Sequence, residues 1–440
     1  MKPFTRLSLL TLTGVLLGTA AASIAGSKTA QDSKTYTQLM LFADVLTRVE
    51  QDYVKPVEIE DLVDNAINGV LHSLDPHSHY VTPDDLKKSD KRANREYGGL
   101  GVEVSMEDGY VKVGYVNKDA PAFRAGLVAG DLITHVKGVS VKGKSLSDAV
   151  KDMRGLAGDA LTITVKSKGR AARDISIVRA VVHGRAVRQR MYEGVGYIRL
   201  ETFSSINLAR DLGEAIDILE KENGAKLPGL VIDLRGNPGG LVTECVKVTG
   251  YFLDGGEVVS IRGRHKEEDE RYHANEGERL AGIPIVVLIN GNSASASEIL
   301  AGALQDRGRA LIMGTDSFGK GSVQSVYRLE DGKKGALRLT TARYFTPSGR
   351  SIQGLGITPD IWVELFPDDG NAHIQVREAS LLNALDTIIL ENEGTAKPKN
   401  QKHEYPPQDW DKTKDYQLHR ASEVLKSKNF GARLRKAFRQ

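Results

Sequence analysis

Between residues 195 and 314 short apolar runs alternate with stretches of helical spacing, and this alternation restricts the fold more than any other feature of the sequence. "GVGYIRLETF", "PGLVIDLRG", "IPIVVLI" and "RALIMG" read as strands. Between them, "NLARDLGEAIDILEKENG" places Leu208, Leu212, Ala215 and Leu219 on one helical face. "LVTECVKVTGYFL" and "ASEILAGALQDRG" read as further helices. Such alternation predicts a mostly parallel sheet covered by helices.

The regions on either side have a different texture. "YTQLMLFADVLTRVEQDYV" spaces Leu39, Phe42, Leu46, Val49 and Tyr53 at gaps of three and four, a single apolar helical stripe. The stripe suits packing on the protein's own body or pairing with a second subunit. "IEDLVDNAINGVLHSL" is a second helix, and "DPHSHYVTPDD" then breaks the pattern with Pro76 and Pro83. From Tyr97 to Val182 short strands dominate, beginning with two around an Asp108–Gly109 turn. A helix capped by Ser145 and a closing hairpin complete a compact α+β module there. Beyond the parallel-sheet region, "EGTAKPKNQKHEYPPQD" reads as a polar linker before a final helix, "DYQLHRASEVLKSK". The last fifty residues carry somewhat more Lys and Arg than acid, which reads as a solvated tail.

Length and charge bound the function only loosely. A chain of 440 residues accommodates two to four domains, and its net charge of +3 gives no reason to expect a nucleic-acid partner. The N-terminus says more. Lys2 and Arg6 precede an uncharged run from Leu7 to Gly26, with small residues at 19–23 where a signal peptidase could cut. Residues 1–26 therefore read as a signal peptide or, at near-spanning length, a membrane anchor. The expected location is the periplasm, soluble or tethered to the inner membrane. The sole cysteine, Cys245, cannot form an internal disulfide and reads as a small buried apolar residue.

The chemistry points to strand ends. "NGNSASASEILAGALQDRGRA" sets Ser293, Ser295 and Ser297 at alternate positions where a buried strand passes into a helix. A hydroxyl there lies beside free backbone N–H groups that can hold an oxyanion, although serine is also an ordinary helix cap. The nucleophile needs a proton acceptor. His72, His77 and His79 cluster in a proline-flanked turn, and His265 and His273 fall in a charged loop. Lys320, flanked by Gly319 and Gly321 in "SFGKGSVQ", is the alternative base if burial keeps it neutral. In "VIDLRGNPGGL", Gly239 and Gly240 let the backbone approach a substrate closely.

Taken together these stretches resemble the carboxyl-terminal-processing, or tail-specific, serine peptidases. The serine run and "SFGKGSVQ", with 25 residues from Ser295 to Lys320, carry the likeness, and "LDPHSHYVTP", "YGGLGVEV", "PAFRAGLVAGD", "DLRGNPGGL" and "ARYFTPSGRSIQGLGITPDI" follow the family's order across residues 36–365. His79 and Asn292 depart from its usual pattern. The resemblance implies an α/β plus α+β protein: a helical N-terminal region at 33–96, an inserted PDZ domain at 97–182, a ClpP/crotonase-like α/β peptidase core at 183–366 and a C-terminal helical extension at 367–440. It implies Ser295 as nucleophile, Lys320 as general base, Gln324 hydrogen-bonding the lysine, and an oxyanion hole from the N–H groups of Gly240 and Ala296. Gly99, Leu100, Gly101 and Val102 would form the loop that binds a substrate's terminal carboxylate. No metal or organic cofactor is implied. Family members act on protein substrates with accessible C-termini, process or degrade cell-envelope proteins and form dimers or larger assemblies. Some work with a lipoprotein adaptor, carried here as a candidate partner. Two rivals stay open at this stage: a PDZ scaffold on an inactive body, and a Ser/His esterase using His265 or His273.

Overall fold

The computed structural model describes residues 34–87, 98–182, 185–367, 376–387 and 403–438, so the leader at 1–26 lies outside the described residues. The chain divides into two units, Met1–Val70 and Leu71–Gln440. In the first unit residues 34–52 form helix α1, and α2 (Ile59–His72) begins there. Glu60 and Asp61 in its first turn complement the helix dipole. Among the described residues no helix is long and apolar enough to cross a membrane.

The second unit opens with β1 (His79–Val81) and then the small module. Its elements are β2 (Val102–Glu107), β3 (Tyr110–Val116), α3 (Pro121–Arg124), β4 (Leu132–Val136), α4 (Leu146–Met153), β5 (Ala160–Lys166) and β6 (Arg173–Val178). The strands pair antiparallel in sequence order around a separate core of Val111, Val113, Ile133, Leu161 and Ile163. Asp108 and Gly109 both take positive φ, 52° and 80°, which is what a two-residue hairpin turn demands. The Ser145 hydroxyl accepts from the Asp148 N–H at 3.2 Å and caps α4. The chain enters and leaves this module at one neck, where Gly98–Gly99 pairs with Ala180–Val181.

The larger body holds β7 (Val187–Tyr192), β8 (Val195–Leu200), α5 (Leu208–Asn223), β9 (Leu230–Asp233), α6 (Val242–Thr249), β10 (Glu257–Gly263), β11 (Glu270–His273), β12 (Ile285–Ile289), α7 (Ala296–Asp306), β13 (Leu311–Gly314), β14 (Ser322–Arg328), β15 (Ala336–Phe345) and β16 (Ile361–Trp362). Its main sheet runs β7-β8-β9-β12-β13-β16, parallel from β8 onward. Every residue of β9, β12 and β13 is buried, which is why these strands read as unbroken apolar runs. Side chains along β12 alternate between two cores. Ile285, Val287 and Ile289 meet Leu208, Leu212, Leu300 and Leu304 from α5 and α7. Val286 and Leu288 face the other way, with Tyr416, Leu418, Ala421 and Leu425.

Those last residues belong to α8 (Tyr416–Lys426), which is followed by α9 (Phe430–Phe438). The expectation of a solvated tail is therefore overturned. Among the described residues the Lys and Arg of this region are exposed except for the partly buried Arg420, while α8 buries an apolar stripe that covers the second face of the sheet. A second sheet, β1-β15-β10-β11 with β14 paired to β15, is antiparallel and was absent from the sequence reading. Its half-exposed, Thr- and Arg-rich strands lack the apolar runs that mark the main sheet. The small module meets the body through ion pairs of Arg188 with Glu103 at 3.0 Å, Arg210 with Asp119 at 2.5 Å and Lys118 with Glu214 at 3.1 Å.

The role given to α8 is testable. Leu418 is 1% exposed, so Leu418→Ala should lower unfolding free energy in urea by about 2–5 kcal/mol, whereas truncating a solvated tail would change it little.

Candidate active site

The three alternate serines have three different environments. The Ser293 hydroxyl accepts from the Asn290 N–H at 3.0 Å and donates to the Leu234 carbonyl at 2.8 Å. The Ser297 hydroxyl donates to the Asn237 carbonyl at 2.9 Å. Both side chains are fully buried and tie the turn before α7 to the glycine-rich loop after β9. Ser295 is half-buried, caps α7, and holds φ 55° and ψ −115°. That backbone conformation costs a non-glycine residue on the order of 1–3 kcal/mol and marks a position the surrounding structure dictates.

The glycine-rich loop lies directly against Ser295. Gly239 and Gly240 have φ of 96° and 149°. A Cβ on Gly239 would stand 2.9 Å from the Ser295 Cβ, and one on Gly240 would fall 2.3 Å from the Phe203 backbone. Asn237 shapes this loop: its Oδ1 accepts from the Gly239 N–H at 2.9 Å, and its carbonyl accepts from the Ala294 N–H at 3.1 Å. Among the described residues neither the Gly240 nor the Ala296 N–H has a hydrogen-bond partner. Two unused donors thus flank the serine. Cys245, fully buried as the sequence suggests, donates its thiol to the Ala296 carbonyl at 3.1 Å, and burial pushes that thiol up to about 12.

Glu298, in the first turn of α7, joins the serine to the lysine. Its Oε2 accepts from the N–H groups of Ser295 at 2.7 Å and Lys320 at 2.9 Å. Its Oε1 accepts from the Gly319 N–H at 2.6 Å and the Ser317 hydroxyl at 2.5 Å. Burial pushes its carboxyl up to about 7 against these four donors. Sequence reading missed Glu298, although Ser-x-x-Glu at the start of a helix is a capping-box pattern that signals such a contact.

Lys320 is half-buried, and among the described residues no carboxylate lies within ion-pair distance of its ammonium. Burial lowers its pKa; the Glu378 charge opposes this, Arg338 adds to it, and Asp75 and Glu298 oppose it. The net direction is downward, as a lysine base requires. Gln324 donates its amide to Ser322 at 2.9 Å and Thr340 at 3.2 Å, and its expected bond to Lys320 is not among those of the described residues. His265 and His273 are both exposed, on the β10–β11 hairpin. Among the described residues no cluster of His, Cys, Asp or Glu is placed to hold a metal ion.

In the small module, Gly99, Leu100, Gly101 and Val102 line a cavity of about 400 Å³ together with Val150 and Met153. The Leu100 carbonyl is held by the Ala122 N–H, and the Gly101 carbonyl by the Asn117 N–H, both at 2.9 Å. The N–H groups of Leu100 and Gly101 have no partner among the described residues. Such a pair of free donors beside an apolar pocket suits a carboxylate.

Two parts of the chain match known families. Residues 194–363 match the model of peptidase family S41, and residues 98–176 match that of a PDZ domain. The chain is 48% identical over 354 residues to a carboxy-terminal-processing protease of Bartonella bacilliformis, covering 80% of this chain and 81% of that one. It is 34% identical over 355 residues to a carboxy-terminal processing protease of Bacillus subtilis, covering 80% of this chain and 72% of that one. Among solved structures, a photosystem II D1 C-terminal processing protease aligns at 30% identity and a TM-score of 0.44, covering 75% of this chain and 94% of that one. The chain belongs to peptidase family S41 and is a carboxy-terminal-processing serine protease that carries a PDZ domain.

Proposed function

We propose that this chain is an exported endopeptidase in which Ser295 is the nucleophile and Lys320 its general base. The observation that carries this reading is the shared carboxylate: one Glu298 oxygen holds the backbone N–H of both residues. Neutral Lys320 takes the proton from the Ser295 hydroxyl as Oγ bonds to the substrate carbonyl carbon. The carbonyl oxygen, now negative, rests on the N–H groups of Gly240 and Ala296. The lysine returns its proton to the leaving amine as the C–N bond breaks, which leaves an acyl-enzyme. Water, deprotonated by Lys320, then releases the acyl group and Ser295 regains its proton. The Gln324 Oε1, which has no partner among the described residues, accepts from Lys320 once substrate is bound.

The PDZ domain selects substrates by capturing their terminal carboxylate on the N–H groups of Leu100 and Gly101 while the peptide adds as a strand. The charge pattern of residues 1–26 supports export to the periplasm, and cell-envelope proteins are then the accessible substrates. The apolar stripe from Leu39 to Tyr53 supports assembly into dimers or larger oligomers, and a lipoprotein adaptor is a further candidate partner.

Hydrolysis of a protein with an unstructured C-terminus tests the dyad. Ser295→Ala and Lys320→Ala should each lower kcat by at least about a thousandfold with unchanged thermal melting. Lys320→Arg should be equally inactive, because a guanidinium does not deprotonate in a protein. Near-normal turnover by Lys320→Ala would remove lysine from the mechanism. Glu298→Gln keeps size but turns two N–H groups toward donors, so kcat should fall at least about tenfold with KM little changed. For the PDZ loop, amidating the substrate's C-terminus removes a charged acceptor, and kcat/KM should drop at least about tenfold; equal rates for acid and amide would refute carboxylate capture.

A further inference from the structure

Behind Lys320 lies a buried polar cluster that the reaction above does not use. Glu378 is fully buried, and its two carboxylate oxygens accept from His77 Nε2 at 2.8 and 2.9 Å. The same carboxylate accepts from the Gln353 amide at 3.0 Å, and Gln353 Oε1 accepts from the Gly321 N–H at 3.0 Å. The Glu378 N–H also donates to the Phe318 carbonyl at 3.0 Å. The lysine loop is thus held by a second buried carboxylate besides Glu298. His77 is itself fixed, since its N–H donates to Asp75 Oδ1 at 2.8 Å. Asp75, 2% exposed, also accepts from the Ser78 hydroxyl at 2.6 Å and from Thr340 Oγ1 at 3.0 Å. Thr340 Oγ1 in turn accepts from Gln324. Two relays therefore start in the "DPHS" turn: one ends on the backbone beside Lys320, the other on Gln324.

We infer that His77 and Glu378 are positioning residues of the lysine base, supplied by two segments outside residues 194–363, the part of the chain that matches the model of peptidase family S41. This rests on the reading of Lys320 as the general base. Glu378 fixes the Lys320–Gly321 peptide through Gln353, and its negative charge is one of those that reach the ammonium. The N–H donated by His77 offsets that charge. The other charges facing Lys320 are Arg338 on β15, Asp75 in the turn and Glu298 on α7, and none of these is altered by changing the pair. Burial lowers the lysine's pKa against the pull of Glu378, so the pair sets how far it falls.

The pH dependence of kcat/KM on an unstructured C-terminal peptide, measured on the full chain, tests this, because its rising limb reports deprotonation of the base in the free enzyme. Glu378→Gln removes a negative charge and should move that limb to lower pH by roughly one unit. His77→Ala leaves the charge less compensated and should move the limb to higher pH. His77→Gln can still offer an N–H to Glu378 and should bring the limb back toward that of the unaltered chain. Shifts of the same sign in Glu378→Gln and His77→Ala, or lower rates with an unmoved limb in both, would overturn the inference, since a purely structural role predicts no opposed displacement. Activity surviving in Lys320→Ala would instead overturn the base assignment itself, and this inference with it.

Discussion

The geometry proposed for catalysis depends on one buried carboxylate. Ser295 and Lys320 sit on different strand ends, and nothing in chain connectivity fixes their separation. Glu298 does, because its oxygens accept from the N–H groups of Ser295, Gly319 and Lys320 and from the Ser317 hydroxyl. Burial favours the neutral acid and pushes the carboxyl up to about 7, whereas the donors favour the anion. The hydrogen bonds decide for the anion. Ser317 already accepts from the Ile357 N–H at 2.7 Å, so its own proton needs an acceptor, and only an ionised Glu298 leaves every member of the network satisfied. Without that carboxylate three backbone N–H groups would be stranded, each costing about 1–3 kcal/mol when buried.

The same economy of buried charge anchors the glycine-rich loop proposed to hold the oxyanion. Arg235, just before the glycines, bonds Asp233 at 2.9 and 2.7 Å, Asp415 at 3.0 and 2.6 Å and Gln417 at 2.8 Å. Asp233 is fully buried; burial pushes its carboxyl up, but the Arg235 contacts outweigh this and hold it below its ordinary value. The start of α8 is thus tied to the end of β9, where the loop with Gly239 and Gly240 begins. A helix 180 residues away in sequence stabilises the loop that packs against Ser295. This is why α8 belongs to the body and not to a tail.

What the sequence discloses follows the range of the interactions. The parallel sheet was legible because β9, β12 and β13 are buried on both faces and must be apolar throughout. That the turn before α7, the glycine-rich loop after β9 and the Lys320 loop come together was legible because all three follow the ends of strands in that sheet. The β14–β15 hairpin was not, since its half-exposed strands mix Arg and Thr with apolar residues. Glu298 was within reach of a capping-box reading, but its bond to Gly319 spans 21 residues and carries no local signature. The His77–Glu378 contact spans 301 residues, and a proline-flanked histidine reads as a turn whatever it touches. Local pattern reports burial and backbone conformation; it does not report which distant carboxylate completes a site.

Lysine makes an unusual demand on its surroundings. To act as a base near neutrality it must lose roughly three units from its ordinary pKa, about 4–5 kcal/mol in favour of the neutral amine. Here burial acts in that direction, Glu378 opposes it, Arg338 adds to it, and Asp75 and Glu298 oppose it, with the net direction downward. Carboxylates placed in ion-pair contact would defeat the arrangement; placed further off and each held by other donors, they orient the loop while their pull on the ammonium stays weaker than the effect of burial. The part of the lysine's surface that stays exposed is the remaining variable, since water there still favours the charged form. In the proposed mechanism a peptide seated between the Gly239–Gly240 loop and Ser295 would displace that water and act in the same direction as burial. The substrate would then complete the activation of the proposed base, which would confine hydrolysis to chains that reach the site.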